Sequence, residues 1–97
     1  MSEYAQKVIE ENKRTRNKTL DLGNCGLTEL PDLSGMEWLE TLIVSNEWWD
    51  REQEKWVKSQ NIGAKNKITR SPAHPLPVSL RKVILGGKWN DPWSISD

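Results

Sequence analysis

Apolar residues near the start of the chain recur at the spacing of a helix. Tyr4, Ala5, Val8 and Ile9 are followed by Asn12, so successive members of this set are one or three positions apart. Such spacing places all of them on one side of an α-helix. The sequence therefore predicts an amphipathic helix over about residues 3–13, whose apolar face has to pack against another part of the chain.

The next stretch, LDLGNCGLTELPDL, has a different pattern. Leu20 and Leu22 are separated by one polar residue, as in a short strand whose alternate side chains share a face. Cys25 then falls in a turn, and three later leucines are expected to point back into the same core: Leu27, Leu30 and Leu33. This is the spacing of one coil of a leucine-rich repeat, whose consensus is L-x-x-L-x-L-x-x-N/C-x-L.

The pattern recurs twice further along the chain. Leu42, in LETLIVSNEWWD, follows Leu20 by 22 residues, and a third match, LRKVILGGKWND, contains Val83. The second and third matches also align beyond the consensus, with Trp48 corresponding to Trp89. They are separated by about 19 residues more than one repeat period. We therefore predict an insertion between the second and third coils.

The insertion is predicted to contain a helix and a loop. Asp50 can cap a helix, with Gln53 three residues later as in a capping box, so a helix is predicted in DREQEKWVKSQ. After Gly63 the segment AKNKITRSPAHPLPVS is polar and holds three prolines, which exclude a regular helix. We interpret it as a loop whose Ile68 and Leu76 reach the core.

The three strands predict columns of side chains on the face that points away from the core. If the strands pair in parallel, Asp21, Ile43 and Ile84 form the central column, because each lies between two core positions. An apolar strip beside polar residues is typical of a binding patch, although isoleucine also suits strands in general. The adjacent columns would be Thr19, Thr41 and Lys82 on one side, and Gly23, Ser45 and Gly86 on the other.

Composition limits the class of protein. The chain has 97 residues, a hydrophobic content of 35%, six tryptophans and no phenylalanine, which fits one small domain that packs large indoles. One cysteine cannot form an internal disulfide, and the N-terminus has no long apolar run, so we predict a cytoplasmic protein without a membrane span.

Charge is distributed unevenly although the net charge is zero. Residues 1–54 hold 12 acids and 6 bases, whereas residues 55–88 hold 8 bases and no acid. A basic tract of this kind can bind nucleic acid, with Trp56 or Trp89 stacking on bases. We favour a solvated, lysine-rich insertion, because the tract contains no recognised nucleic-acid-binding motif.

The sequence predicts no catalytic residue, cofactor site or metal site. His74 is the single histidine and lies between prolines in a polar loop, without partners for metal binding or acid–base chemistry. Cys25 fills a structural position in the turn. Gly86 and Gly87 lack the rest of a phosphate-binding loop.

The stretch VIEENKRTRNKTLDLGNCGLTELP resembles the N-terminal end of bacterial leucine-rich repeat proteins, in which a capping helix precedes a first repeat of the form LDLxxxxLTELP. The segments LIVSNEWWD and VILGGKWNDPWSISD are similar to members with a tryptophan-rich insertion. The resemblance implies a curved solenoid that binds other proteins on the concave face of a parallel sheet. In many members this unit is the sensing arm of a larger protein, and this chain would then be a fragment of one or a short relative.

We therefore predict an α/β fold: a short leucine-rich repeat solenoid with an N-terminal capping helix and a small parallel sheet. Residues 1–16 would form the cap, 17–47 two coils, 48–79 the insertion and 80–97 a third coil with an open end. The predicted function is non-enzymatic protein–protein interaction in a bacterial signalling assembly. Nucleic-acid or phosphate-surface binding through residues 55–88, and one arm of a signalling enzyme, stay open as alternatives.

The partner would be another protein, or a second copy bound through the open end. Trp48 and Trp89 are predicted to stack on each other, and both are hot-spot candidates. Trp93 and Ile95 are predicted to lie at the open end. The candidate partner-binding residues are Thr41, Ile43, Trp48, Lys82, Ile84, Trp89, Trp93 and Ile95.

Overall fold

The computed structural model describes residues 3–68, 74–85 and 95–96. This part of the chain contains one helix and three small sheets, so the predicted mixed α/β class is confirmed. No helix within it is both long and apolar enough to cross a lipid bilayer. The elements in chain order are α1 (Glu3–Thr15), β1 (Thr19–Asp21), β2 (Thr41–Ile43), β3 (Glu47–Asp50), β4 (Lys55–Lys58), β5 (Lys67–Ile68), β6 (Lys82–Ile84) and β7 (Ile95–Ser96).

Helix α1 forms where the apolar spacing predicted it and buries Ala5, Ile9 and Asn12. It runs two residues beyond the predicted end. The Arg16 N–H donates to the Asn12 carbonyl at 2.7 Å, and Arg16 then takes a positive φ of 53°, which ends the helix. Beyond the end of the helix, the Asn12 side-chain amide donates to the Thr19 carbonyl at 3.2 Å, which links α1 to β1.

The largest sheet is parallel, with strand order β1-β2-β6. Leu20 pairs with Leu42, and Leu42 pairs with Val83, so the 22-residue spacing predicts the register correctly. The same register aligns Asp21, Ile43 and Ile84, which confirms the predicted central column. Side chains alternate along a strand, so a slip of one residue would turn the core leucines outward.

The core contains the leucines of the predicted coils. Leu20, Leu22, Leu27, Leu30 and Leu33 are each at most 4% exposed, as are Met36, Leu39, Leu42 and Val44. Burial of one such side chain stabilises the fold by about 1.5–3 kcal/mol relative to exposure. Ile68 is fully buried and Leu76 packs against the cluster, as predicted for the loop.

Asn66 lies in the centre of this apolar core and is fully buried. Its side-chain oxygen accepts hydrogen bonds from the N–H groups of Cys25, at 3.2 Å, and Leu27, at 2.9 Å. Its amide nitrogen donates to the carbonyls of Leu22, at 2.8 Å, and Val44, at 3.0 Å. One side chain thus pairs four backbone groups that the turn after β1 and the end of β2 would otherwise bury unpaired.

The predicted helix in residues 50–60 is wrong, because this segment forms an antiparallel hairpin of β3 and β4. The Asp50 carboxylate does accept from the N–H groups of Glu52, at 2.9 Å, and Gln53, at 3.2 Å. These bonds resemble those of a helix N-cap, but here they close the turn. Glu54 takes a positive φ of 52° and interrupts any helix. Trp56 and Val57, which favour strands, then pair with Trp49 and Trp48.

The outward face of the sheet is more covered than the column pattern predicted. The Asp21 carboxylate accepts from the Ser59 hydroxyl at 2.7 Å and from the Gln60 N–H at 3.1 Å, so the chain after the hairpin crosses the end of β1. Ile43 is only 7% exposed. The prediction that Ile43 belongs to an accessible apolar strip is therefore wrong.

Candidate functional site

A groove of about 770 Å³ lies between the hairpin and strand β6. One wall is the hairpin, with three tryptophans: Trp48, Trp49 and Trp56. The opposite wall is formed by residues 82–85. The volume is within the range of protein sites that bind ligands or peptide side chains. We call this feature the hairpin groove.

Two indoles at the hairpin groove are well exposed. Trp49 and Trp56 are directly opposite on β3 and β4, with ring centroids 5.8 Å apart at an interplanar angle of 77°. They are 50% and 65% exposed, respectively. Trp48 points to the other side of the hairpin and is half-buried. An edge-to-face pair favours a fixed orientation of both rings, yet much of their apolar surface still faces water.

The charged lining of the hairpin groove is mixed, with a small excess of acid. The hairpin contributes the carboxylates of Glu47, Asp50 and Glu52 and the guanidinium of Arg51, and the facing wall contributes Lys82. Three acids and two bases give a formal charge of −1. Lys58 and Lys55 lie opposite Glu47 and Asp50 across the hairpin, so the excess of acid is confined to the residues that line the groove.

Strand β6 forms an edge of the parallel sheet. The N–H groups of Arg81 and Lys82 donate to the Glu40 carbonyl, and the Ile84 carbonyl accepts from Val44, so these groups face β2. Because backbone groups alternate in direction along a strand, the N–H and C=O of Val83 face away from β2. Val83 is 37% exposed, whereas Leu20 and Leu42 in the same row are almost fully buried. Among the described residues no strand pairs with this edge, so its outward backbone groups can pair with an added strand.

The structure brings together three of the predicted partner-binding residues. Trp48, Lys82 and Ile84 all line the hairpin groove. Thr41 and Ile43 lie in β2 and do not line it. Ile95 belongs to β7, where it pairs with Ile68 of β5. Two further predictions, the stacking of Trp89 on Trp48 and the position of Trp93, concern residues outside the described part of the chain.

Sequence reasoning missed Trp49 and Trp56 as a pair. In the predicted helix they would share a face, seven residues apart. The signal for the hairpin in the sequence is weak, because Trp56 and Val57 favour a strand whereas residues 51–54, REQE, favour a helix.

Cys25 is buried and does not line the hairpin groove. Its side chain is 1% exposed, and burial, together with the nearby charge of Asp21, raises the pKa of the thiol from 9.0 to about 12. The thiol is therefore protonated at neutral pH, in which form it is a poor nucleophile. Its sulfur instead accepts a hydrogen bond from the Asn61 amide at 3.5 Å.

His74 is exposed, and its Nδ1 lies 3.8 Å from a carboxylate oxygen of Asp32. Across the described ranges, no three side chains of the His, Cys, Asp or Glu type are grouped so that they could hold a metal ion.

Comparison with protein-family models, characterised proteins and solved structures gave no match to this chain. The likeness to bacterial leucine-rich repeat proteins therefore rests on the leucine spacing and the motifs quoted above.

Proposed function

We propose that this chain is a non-enzymatic protein-interaction module built as a short leucine-rich repeat solenoid, and that it binds an extended segment of a partner protein in the hairpin groove. The observation that carries the proposal is the position of the exposed Trp49–Trp56 pair across the groove from the open edge of β6. A signalling role in a bacterial cell is part of the same proposal and rests on the resemblance alone.

The solenoid part of the proposal is supported by the repeated register. Leu20, Leu42 and Val83 occupy one row of the parallel sheet, and each begins a segment of the same pattern. Stacked repeats expose a row of unsatisfied backbone groups and apolar side chains wherever the stack ends. In the described residues this applies to β6, where Val83 is partly exposed.

The proposed mode of peptide binding follows from the outward backbone groups of the edge strand β6. An extended peptide placed beside β6 would hydrogen-bond the N–H and C=O of Val83 and would rest its side chains on the groove. Tryptophan is among the residues that contribute most to protein–protein affinity. Trp49 and Trp56 already hold each other edge to face, so little ordering of these side chains is required when a partner binds.

Proline substitutions test this mode. Val83→Pro removes the outward N–H but keeps the bonds to β2, because proline is tolerated in an edge strand. The matched control is Val78→Pro. Val78 is fully exposed and follows Pro77, whose carbonyl accepts from the Leu80 N–H, so proline there suits the turn.

The experiment is to select random dodecapeptides displayed on phage against the immobilised chain and to measure the affinities of the synthesised winners by calorimetry. We expect micromolar binding that weakens at least about tenfold in Val83→Pro and in Trp56→Ala, and is unchanged in Val78→Pro. If no selected peptide depends on Val83 or Trp56, the proposal is wrong.

The second candidate, nucleic-acid binding, is favoured by one observation: Trp56 is 65% exposed and lies between lysines in KWVK. Against it, Lys55 pairs in register with Asp50, and Lys58 with Glu47. Opposite charges directly across a hairpin attract each other and reduce the positive potential available to phosphates.

A further inference from the structure

We infer that the hairpin groove selects a basic side chain, arginine above all, in the extended segment that it binds. This inference rests on the proposed function and adds the chemistry of the partner. It is drawn from the Trp49–Trp56 pair, the carboxylates of the groove lining and a guanidinium–indole contact found elsewhere in the same chain.

The indoles provide the attraction. The face of an aromatic ring carries partial negative charge, and tryptophan attracts cations most strongly of the aromatic residues. Trp49 and Trp56 stand nearly perpendicular, at 77°, so an entering side chain can meet the face of one ring while it passes the edge of the other. Both retain half or more of their exposure, and the rings are accessible to a ligand.

This chain already uses the same contact internally. The guanidinium carbon of Arg16 lies 5.3 Å from the ring centroid of Trp38, close enough for a cation–π interaction. Among the described residues, no basic side chain occupies the corresponding position over Trp49 or Trp56. Within this part of the chain, the two indole faces carry no internal cation.

The acids of the groove lining also favour a basic side chain in the bound segment. The hairpin residues that line the groove include Glu47, Asp50 and Glu52, together with Arg51. Lys58 and Lys55 lie opposite Glu47 and Asp50, so Glu52 is the acid of this lining that no lysine faces across the hairpin. A guanidinium can lie flat on an indole and still donate hydrogen bonds from its edge to a carboxylate, which a lysine ammonium does less well. Lys82 belongs to the facing wall, so it would repel a second basic residue and limit the site to one.

The register of a peptide paired with β6 predicts which residues flank its arginine. Side chains beside Lys82 and Ile84 would face the groove, whereas those beside Val83 would face the apolar core side, since directions alternate. A basic residue flanked by β-branched residues fits this pattern. The probe is therefore an acetylated and amidated pentapeptide with the order threonine, valine, arginine, valine, threonine.

The experiment compares this probe with the same peptide carrying citrulline, which has the shape of arginine without its charge. Binding is measured by calorimetry and by the shifts of the indole N–H signals in ¹⁵N-labelled chain. We expect the arginine peptide to bind about tenfold more tightly than the citrulline peptide, as for a cation–π contact with a nearby carboxylate.

The double variant Glu47→Gln, Glu52→Gln should reduce this preference to about threefold. Glu29→Gln, at an exposed acid outside the groove, should leave it unchanged.

Each outcome separates the inference from the proposed function. Equal binding of both peptides, with loss in Val83→Pro, overturns the selection of a base and leaves the interaction module standing. The same conclusion follows if neither pentapeptide binds but the phage selection yields groove-dependent peptides without a basic residue. If the selection yields no groove-dependent peptide, the proposed function fails as well.

Discussion

Cys25 makes the stability of the fold depend on pH at the scale of one residue. Its thiol has a pKa of about 12 in the folded chain and 9.0 when unperturbed. Between these values the unfolded chain releases a proton that the folded chain retains. The contribution of the buried thiol is complete below pH 9 and decreases as pH rises toward 12.

We therefore expect the free energy of unfolding of the wild-type chain to approach that of Cys25→Ala as pH rises. The difference should shrink by up to about 1.4 kcal/mol per pH unit above pH 9. Urea unfolding of both proteins at pH 8, 9.5 and 10.5 measures it, and the alanine variant corrects for the titration of tyrosine and lysine. A difference independent of pH would show that the thiol is not buried.

Asn66 contributes through hydrogen bonds rather than apolar area. Asn66→Ala removes four hydrogen bonds to buried backbone groups. We expect a loss of at least about 3 kcal/mol in the free energy of unfolding, since the loss of a hydrogen bond to a buried group costs about 1–3 kcal/mol and water can replace only some of the bonds. Urea denaturation measures the change. Gln60→Ala, at an exposed side chain, is the control and should change stability by less than about 0.5 kcal/mol.

At the scale of elements, the hairpin of β3 and β4 is the feature that defines the groove. Its turn depends on Glu54, a non-glycine residue with a φ of 52°. An L-residue in this region is strained by roughly 1 kcal/mol, and glycine is not. The helix that the sequence predicted would respond to glycine in the opposite way.

We expect Glu54→Gly to raise the free energy of unfolding by about 0.5–1 kcal/mol. In a helix the same substitution would lower it by about 1 kcal/mol, so the sign distinguishes the two structures. Glu52→Gly is the matched control. Glu52 has no positive φ, so glycine there should not stabilise the chain. Thermal unfolding by circular dichroism measures both variants.

At the scale of the whole molecule, the uneven charge distribution is partly cancelled by the fold. Pairing of β3 with β4 sets Glu47 and Asp50 opposite Lys58 and Lys55, although these residues lie in separate charge tracts of the sequence. The basic stretch is therefore less basic in space than along the chain.

We accordingly expect weak nucleic-acid binding. Fluorescence anisotropy with a labelled 20-nucleotide oligothymidine should give a dissociation constant above about 100 μM at 0.15 M salt. The double variant Glu47→Gln, Asp50→Asn removes the opposing carboxylates and should tighten binding. A submicromolar dissociation constant for the wild-type chain that rises steeply with salt concentration would instead favour the nucleic-acid alternative.

The sequence by itself determined the helix, the three parallel strands, their register and the leucine core. These features depend on local periodicity: Leu20 and Leu22 must share a face, and one register alone aligns Leu20, Leu42 and Val83. The same logic named Lys82 and Ile84 as candidates from their strand columns, whereas Trp48 was named for a predicted stack on Trp89, so the lining of the hairpin groove was predicted residue by residue and not as a site.

Only the tertiary structure decided the rest. The bonds made by Asp50 suit a helix cap and a turn equally, so the choice of a hairpin depended on strand pairing and on Glu54. Asn66 looks like any polar loop residue until four distant backbone groups surround it. Ile43 is buried, and Trp49 contacts Trp56, because the fold brings separate segments together. No local period in the sequence predicts these contacts. Local pattern fixes which face of a strand is buried, whereas a groove requires two elements to be brought together by the fold.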